Sequence, residues 1–542
     1  MLKNISIILI LLMAVFFRTY QLDNLPPSLF ADEVDAGYQA LVFNEKQSDY
    51  FGNKFPIHFH SFSDWRTSLY IYSISFFQRI THNSDLAIRL PSVLFSVVSV
   101  YLLFLLTKSP LASLLFAINP WSIHYGRSGF EVSGMIMVIL AGIYFWQKYA
   151  KKPALSSLLL SIFSFALSPY FYSTAKLFLL FLALAIATIY FPLLKKMNKS
   201  HLFWGILFSL LLMLPLLSDI LKGHAGYRFS YISIFSDPQL SKDIDYLRYR
   251  DIFTTHQGET GVATSIDSKI FHNKYNLIFK KFITNYFSSF SSDFLFINGD
   301  QNPRHGFGTH GLLFYLDFFL IILGLINVLK FNPHDKQGIL FITILVLAPI
   351  PFALTRDSLG PHSTRLILML PSLIYLSWQG IVYLNRYSKI FLPLISLVYI
   401  FSFCTFWHYY RYDYPQESAM AWHSGIREAV KASLKYQQPI YYSGKYEPFL
   451  PFFLYYQPYL PQNIPSDNIK HQNTAYFDGS TIENKYFFGN INWSALSQLD
   501  IPSIFVVPKS ESAEVPSNLK LLEEIKKKYI NSEEFLIYAN QN

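Results

Sequence analysis

The chain is short of charge. Only 15% of its 542 residues are Asp, Glu, Lys or Arg, where soluble domains carry about a quarter. It has one cysteine, Cys404, inside an apolar run, which excludes an intramolecular disulfide framework and any CxxC metal site. It has no glycine-rich phosphate loop and no internal repeat, so no nucleotide fingerprint is present. What it has in abundance is apolar: 52% hydrophobic and 18% aromatic residues, gathered in runs such as 7–17, 202–217 and 312–329. Crossing a bilayer takes roughly 20 apolar residues in a helix, and only helices or closed barrels satisfy the backbone there. Composition therefore defines a polytopic, all-α membrane protein. The net charge of +9 does not make it a nucleic-acid binder, because many of the lysines sit in short loops between apolar segments.

Eleven spans are read at about 4–20, 86–107, 109–119, 129–147, 154–168, 172–194, 201–221, 311–330, 338–354, 364–384 and 389–407. The third is too short to cross without tilting or local thinning of the bilayer. Alternate connections carry Lys108; Lys148, Lys151 and Lys152; Lys195, Lys196 and Lys199; Lys330 and Lys336; Arg386 and Lys389. Positive charge marks these loops and the N-terminus as cytoplasmic. Lys3 before an apolar stretch imitates a signal peptide, but no small-x-small cleavage site follows, so the first segment is read as an uncleaved span. The expectation is a multi-pass plasma-membrane protein with a cytoplasmic N-terminus. Residues 1–411 form the transmembrane domain, with long outer loops at 21–85 and 222–310. Residues 412–542 change character: β-like runs at 439–443, 474–477, 504–507 and 535–538 alternate with helical patterns at 425–435 and 518–528. That is a small extracytoplasmic α/β domain.

Most reactive-looking side chains fall on the outer side. Asp32-Glu33-Val34-Asp35 follows Pro26-Pro27 and opens a helical pattern. The plain reading is capping, with Asp32 as N-cap and Asp35 at N3; the carboxylate left over, Glu33 among the choices, still faces a cavity. The sharper reading makes Asp32 or Glu33 a general base for an acceptor hydroxyl, with partial desolvation raising its pKa toward working pH. Arg127 is a candidate phosphate clamp, since guanidinium matches phosphate oxygens in bidentate fashion; the alternative is an i,i+4 pair with Glu131. Lys176 follows Ser168-Pro169-Tyr170 and either snorkels to headgroups or meets an anion. Arg304 and His305 lie in a glycine-containing loop before the eighth span, and His362 and Arg365 enter the tenth from outside. An arginine at the mouth of a span needs a partner, and a lipid phosphate serves. His58 and His60 share a strand face, yet no third metal ligand has convincing spacing. The aromatic cluster at Tyr170, Phe171 and Tyr172 fits an interfacial belt, and Asn492-Trp493-Ser494 is a cheap match to a glycosylation acceptor.

Several motifs in order carry a resemblance: Ala31-Asp32-Glu33 to Gly37-Tyr38-Gln39-Ala40; Asp49-Tyr50-Phe51-Gly52 and Pro56; Ala87-Ile88-Arg89-Leu90-Pro91-Ser92 opening a span; Asn119-Pro120-Trp121 through Tyr125-Gly126-Arg127 to Glu131; Asn298-Gly299-Asp300 with Arg304-His305-Gly306; and Pro361-His362-Ser363 with Arg365. Together they resemble the bacterial relatives of protein O-mannosyltransferases and the aminoarabinose transferases of lipid A, GT-C-fold membrane glycosyltransferases of the family 39 and 83 kind. The resemblance runs through the spans and is weakest in the tail. It implies an inverting transfer from a polyprenyl-phosphate sugar to an extracytoplasmic protein, lipid or glycan. The catalytic base would be Asp32 by position, with Glu33 beside it and Asp35 and Glu131 next in line. Arg127, Lys176, Arg365, His362, Arg304 and His305 would serve the donor phosphate. No cofactor is required; some GT-C relatives use a divalent metal, but nothing here calls for one. The rivals are a transporter or flippase of lipid-linked sugars, which would show paired halves and broken midplane helices, and a membrane-anchored envelope binding protein whose outer domain does the work.

Overall fold

The computed structural model describes residues 2–62, 64–82, 85–256, 261, 263–356, 360–446, 448–457, 469–499 and 501–540. Every apolar stretch read as a span is helical. Helix α1 is Leu2–Thr19, α2 Ala31–Lys46, α3 Ser68–Thr81 and α4 Leu86–Thr107. Among the described residues, six helices are long and apolar enough to cross a membrane: α4, Val132–Lys151, Lys199–Leu221, Lys336–Ala353, Ser363–Tyr387 and Phe391–Tyr412. Leu155–Phe171 and Thr174–Ile189 are shorter apolar helices.

Helix α1 shows how sequence period becomes placement. Ile7, Ile10, Ala14 and Arg18 are buried, while Ile5, Ile8, Leu9, Leu12 and Phe16 are exposed. Spacings of three and four put each set on its own face. The inner face packs on α4 and on the helix Pro110–Ile118. The outer face is apolar and exposed among the described residues, which in a membrane protein means hydrocarbon. The same logic separates two longer helices: 83% of the apolar window in Ser363–Tyr387 is buried, against 17% in Lys199–Leu221. The first is enclosed by protein and the second turns Leu210, Leu211, Leu214 and Leu217 outward.

The chain divides into two compact units. One holds Met1–Ile118, Ser122–Leu140 and Ile400–Asn542; the other holds Asn119–Trp121 and Ala141–Tyr399. The tail from 412 therefore belongs with the first spans and the first outer loop. It forms a seven-stranded sheet in the order β4-β5-β6-β3-β7-β9-β8. Its strands are β3 Ile440–Ser443, β4 Ile469–Asn473, β5 Phe477–Ile482, β6 Tyr486–Ile491, β7 Ile504–Pro508, β8 Lys520–Ile525 and β9 Phe535–Ala539. Central β3 is parallel to β6 and β7; the outer pairs are antiparallel. Tyr441 stacks on Phe487 at 4.2 Å and 8° and anchors a core with Phe505, Val507 and Leu536.

Three of the expected strands and the helix (Ile426–Ser433) stand close to their predicted places; at 474–477 only Phe477 enters a strand, β5. The helical pattern at 518–528 is corrected. Leu521, Glu523 and Glu524 lie in edge strand β8, paired with β9 across a bulge at Leu521/Glu523. Leu, Glu and Lys favour a helix locally, but the free edge of β9 offers a full ladder of hydrogen bonds, and that tertiary term wins.

Candidate active site

The loop after α1 rises into α2. Phe30 is the N-cap, in extended conformation, and packs on Phe130 and Trp422 at 5.1 and 5.4 Å. With Phe30 in that place, Glu33 is the N3 residue and its Oε2 accepts the Phe30 N–H at 3.3 Å. The capping duty expected of Asp32 and Asp35 therefore falls on Glu33. Glu33 is also fully buried and paired with buried Arg89, Nε to Oε1 at 3.0 Å and Nη2 to Oε2 at 3.2 Å. Gly129 N–H donates to Oε1 at 2.6 Å. A Cβ at Gly129 would stand 2.9 Å from that oxygen, so only glycine lets the backbone come this close. Arg89 spends its other donors on the carbonyls of Leu22, Pro26 and Ser28. The Glu33 carboxylate is thus buried, ion-paired and hydrogen-bonded, and it pins the loop 22–33 to α4.

Asp32 and Asp35 have a different surrounding. The hairpin β1 (His58–His60) and β2 (Trp65–Thr67) pairs Phe59 with Arg66, and His60 stacks on Trp65 at 4.3 Å and 8°. Arg66 thereby reaches α2 from outside its own element: Nη2 lies 2.6 Å from Asp32 Oδ1 and Nε 2.6 Å from Asp35 Oδ2. Asp35 is buried and accepts from Tyr50 Oη at 2.9 Å and Ser61 Oγ at 3.0 Å. The Asp32 side chain is 57% exposed. Burial works against the Arg66 charge, but Asp32, Asp35 and Glu131 outweigh it and hold the guanidinium well above its ordinary pKa. Burial and the neighbouring Asp35 push the Tyr50 phenol up, which keeps it a donor. Of the four acids singled out, Asp32 is thus the most exposed, held in place by a permanently charged arginine. The sequence reading missed Arg66. Its local context is an ordinary hairpin, and its partners are 34 and 31 residues away in sequence.

Arg127 sits among backbone carbonyls. It is fully buried, and its Nη atoms donate to the carbonyls of Phe17 (2.5 Å), Tyr20 (2.5 Å) and Leu25 (2.9 Å). Burial pushes its pKa down to about 10, so it stays charged at cellular pH. Through its Nη atoms it ties α1 to the loop that follows. Glu131 is half-buried at the foot of Val132–Lys151 and contributes to the field at Arg66. The tail reaches the same region: His423 Nδ1 accepts the Ala31 N–H at 3.2 Å, and Arg427 pairs with Asp85 at 3.1 Å.

In the other unit, two loops read as separate motifs come together. Asp300 Oδ2 accepts the Ser363 N–H at 2.7 Å and lies 3.8 Å from His362 Nδ1. Ser363 Oγ donates to the His305 carbonyl at 2.8 Å, Thr364 Oγ1 meets His305 Nδ1 at 3.1 Å, and the two histidine rings are 4.6 Å apart. Gly306 is needed here, because a Cβ would sit 2.2 Å from the Asp300 carbonyl oxygen. Arg365 Nη1 donates to Thr355 Oγ1 at 3.0 Å from the first turn of its helix. His362, Arg365 and Arg304 are half-buried and His305 buried. Lys176, half-buried in the first turn of Thr174–Ile189, belongs to the same unit.

A helical membrane domain, acids and arginines in its long loops and a C-terminal sheet domain define the class: the fold is that of the GT-C-type membrane glycosyltransferases. The particulars come from known proteins. Residues 66–218 match the family described as dolichyl-phosphate-mannose-protein mannosyltransferase. The oligosaccharyltransferase AglB of Archaeoglobus fulgidus, solved with an inhibitory peptide and a dolichol-phosphate, is similar over 94% of this chain and 70% of its own, at 11% identity and TM-score 0.50. ArnT of Cupriavidus metallidurans, solved with undecaprenyl phosphate, is similar over 100% of this chain and 97% of its own, at 9% identity and TM-score 0.48. No curated protein sequence matches. The resemblance read from the motifs is borne out in the fold and, over 66–218, in the family matched.

Proposed function

We propose that this chain is an inverting glycosyltransferase that moves a sugar from a polyprenyl-phosphate donor to an acceptor hydroxyl outside the cytoplasm. Asp32 carries the reading: it is an accessible carboxylate held by Arg66, beside a neighbour, Glu33, that is wholly committed to Arg89. The Asp32 carboxylate takes the proton of the acceptor hydroxyl. The acceptor oxygen attacks the anomeric carbon from the face opposite the phosphate, and the bond from that carbon to the phosphate oxygen breaks. Polyprenyl phosphate leaves with the electron pair, and the configuration inverts. Negative charge grows on the phosphate as the bond breaks, so fixed cations there favour the transition state. Arg365, Lys176, Arg304, His305 and His362 are the candidates for that duty, and none of the steps above is routed through a metal. Support comes from the family match over 66–218 and from lipid-phosphate complexes of two neighbours of this fold.

The test is transfer by purified protein from a panel of radiolabelled polyprenyl-phosphate sugars to a mixed envelope acceptor fraction. Label should appear in acceptor, with polyprenyl phosphate released one for one. Release without acceptor labelling, or labelling without release, would overturn the reaction as written.

A further inference from the structure

The insert 222–310 holds a second feature that the proposed reaction does not use. Helix Lys274–Ser288 carries Lys274, Lys280 and Lys281 and no acid. Lys281 is taken up by Asp237 and Asp243, at 2.9 and 3.2 Å. Along one stripe of this helix, at spacings of three and four, Tyr275, Ile278, Phe279 and Phe282 line a cleft of about 380 Å³. Ile234, Phe235 and Leu354 complete the apolar wall, and Lys274 supplies the one cation. The size suits part of a small apolar ligand, as binding pockets run from about 300 to 1,000 Å³. Tyr275 and Phe279 are nevertheless 82% and 66% exposed, which aromatic side chains in water avoid.

The level of the cleft is set by its neighbours. Tyr286 Oη, on the same helix, donates at 2.9 Å to the carbonyl of Val346, which lies within the apolar helix Lys336–Ala353. Asn285 Nδ2 donates at 2.9 Å to the carbonyl of Thr355, just past that helix. Val346 itself is 48% exposed. Helix Lys274–Ser288 thus rides on the end of a membrane-crossing helix, and its cleft opens where Leu354 closes the apolar stretch. An amphipathic helix with lysines and exposed aromatics at that level is interfacial by physical character.

We propose that this cleft binds one acyl chain of an anionic phospholipid from the adjoining leaflet, with Lys274 at its phosphate. The occupant follows from the wall and the charge: an apolar slot continuous with the hydrocarbon-facing surface of a span, in which Lys274 is the charged residue among those that line it.

The experiment is native mass spectrometry of the full, delipidated protein titrated with phosphatidylglycerol, phosphatidylcholine and a polyprenyl phosphate. Wild type should form a saturable one-to-one adduct with phosphatidylglycerol and a weaker one with phosphatidylcholine. Ile278→Trp, which fills the cleft, should weaken the first by tenfold or more. Lys274→Ala should weaken it about fivefold, the effect of one lysine near an anionic lipid, and Lys280→Ala should not. If Ile278→Trp is not monodisperse, the contrast between the two lysine variants decides. Equal binding in Lys274→Ala and Lys280→Ala would overturn the proposal. So would displacement of phosphatidylglycerol by polyprenyl phosphate, because the cleft would then belong to the donor.

Discussion

Around α2 the charges are matched acid to base: Glu33 with Arg89, Asp32 and Asp35 with Arg66. In the loops at 298–306 and 361–365 a single acid, Asp300, sits among Arg304, His305, His362 and Arg365. The first cluster is compensated and leaves one carboxylate open to solvent, an arrangement that can accept a proton without disturbing its frame. In the second, among the described residues of these two loops, the acid holds the loops together through Ser363 and lies near His362. The difference teaches that the number of charges in a loop says little about its chemistry; how many are already answered by a neighbour says more.

Four substitutions break or sharpen that contrast. Asp32→Asn should lower kcat for transfer by about 10²–10⁴-fold, the usual worth of a general base, with thermal unfolding unchanged. Glu33→Gln should instead cost about 3–5 kcal/mol of stability, because it leaves Arg89 buried without its counter-charge; a fluorescence unfolding scan reads this directly, and an unchanged scan would remove Glu33 from the frame. Arg365→Ala should raise KM for donor by roughly 10–100-fold, the worth of a charge-assisted contact of about 1.5–3 kcal/mol, with a smaller change in kcat. Asp300→Asn should loosen the two loops by about 1–3 kcal/mol, seen as faster amide exchange at Ser363, with donor affinity changed less than in Arg365→Ala.

Much of this was legible in the sequence, and the reasons differ by element. The apolar stretches are helical because their composition leaves the backbone no other way to satisfy itself in hydrocarbon. The strands at Ile440–Ser443, Ile504–Pro508 and Phe535–Ala539 announce themselves by β-branched and aromatic runs. The loops at Asp300 and His362 were readable as outer-face motifs, although nothing local said that they meet. Arg66 was not legible, because its meaning lies in Asp32 and Asp35, which a hairpin brings to it from far along the chain. Arg89 stood within a recognised motif, but its pairing with Glu33 across 56 residues was not written in either neighbourhood. Arg127 reads as a clamp from its residue type and its place in a motif; the three carbonyls that accept from its Nη atoms belong to α1 and the loop after it. Neighbouring residues can also part company: a two-residue shift of the N-cap, from Asp32 to Phe30, separates Asp32 from Glu33.

That separation is the central claim, and one paired measurement tests it: kcat at saturating donor and thermal unfolding, taken together for wild type, Asp32→Asn and Glu33→Gln in detergent. The account predicts a stable but inactive Asp32→Asn and an unstable Glu33→Gln whose folded fraction still transfers sugar. A stable, inactive Glu33→Gln beside an active Asp32→Asn would contradict it.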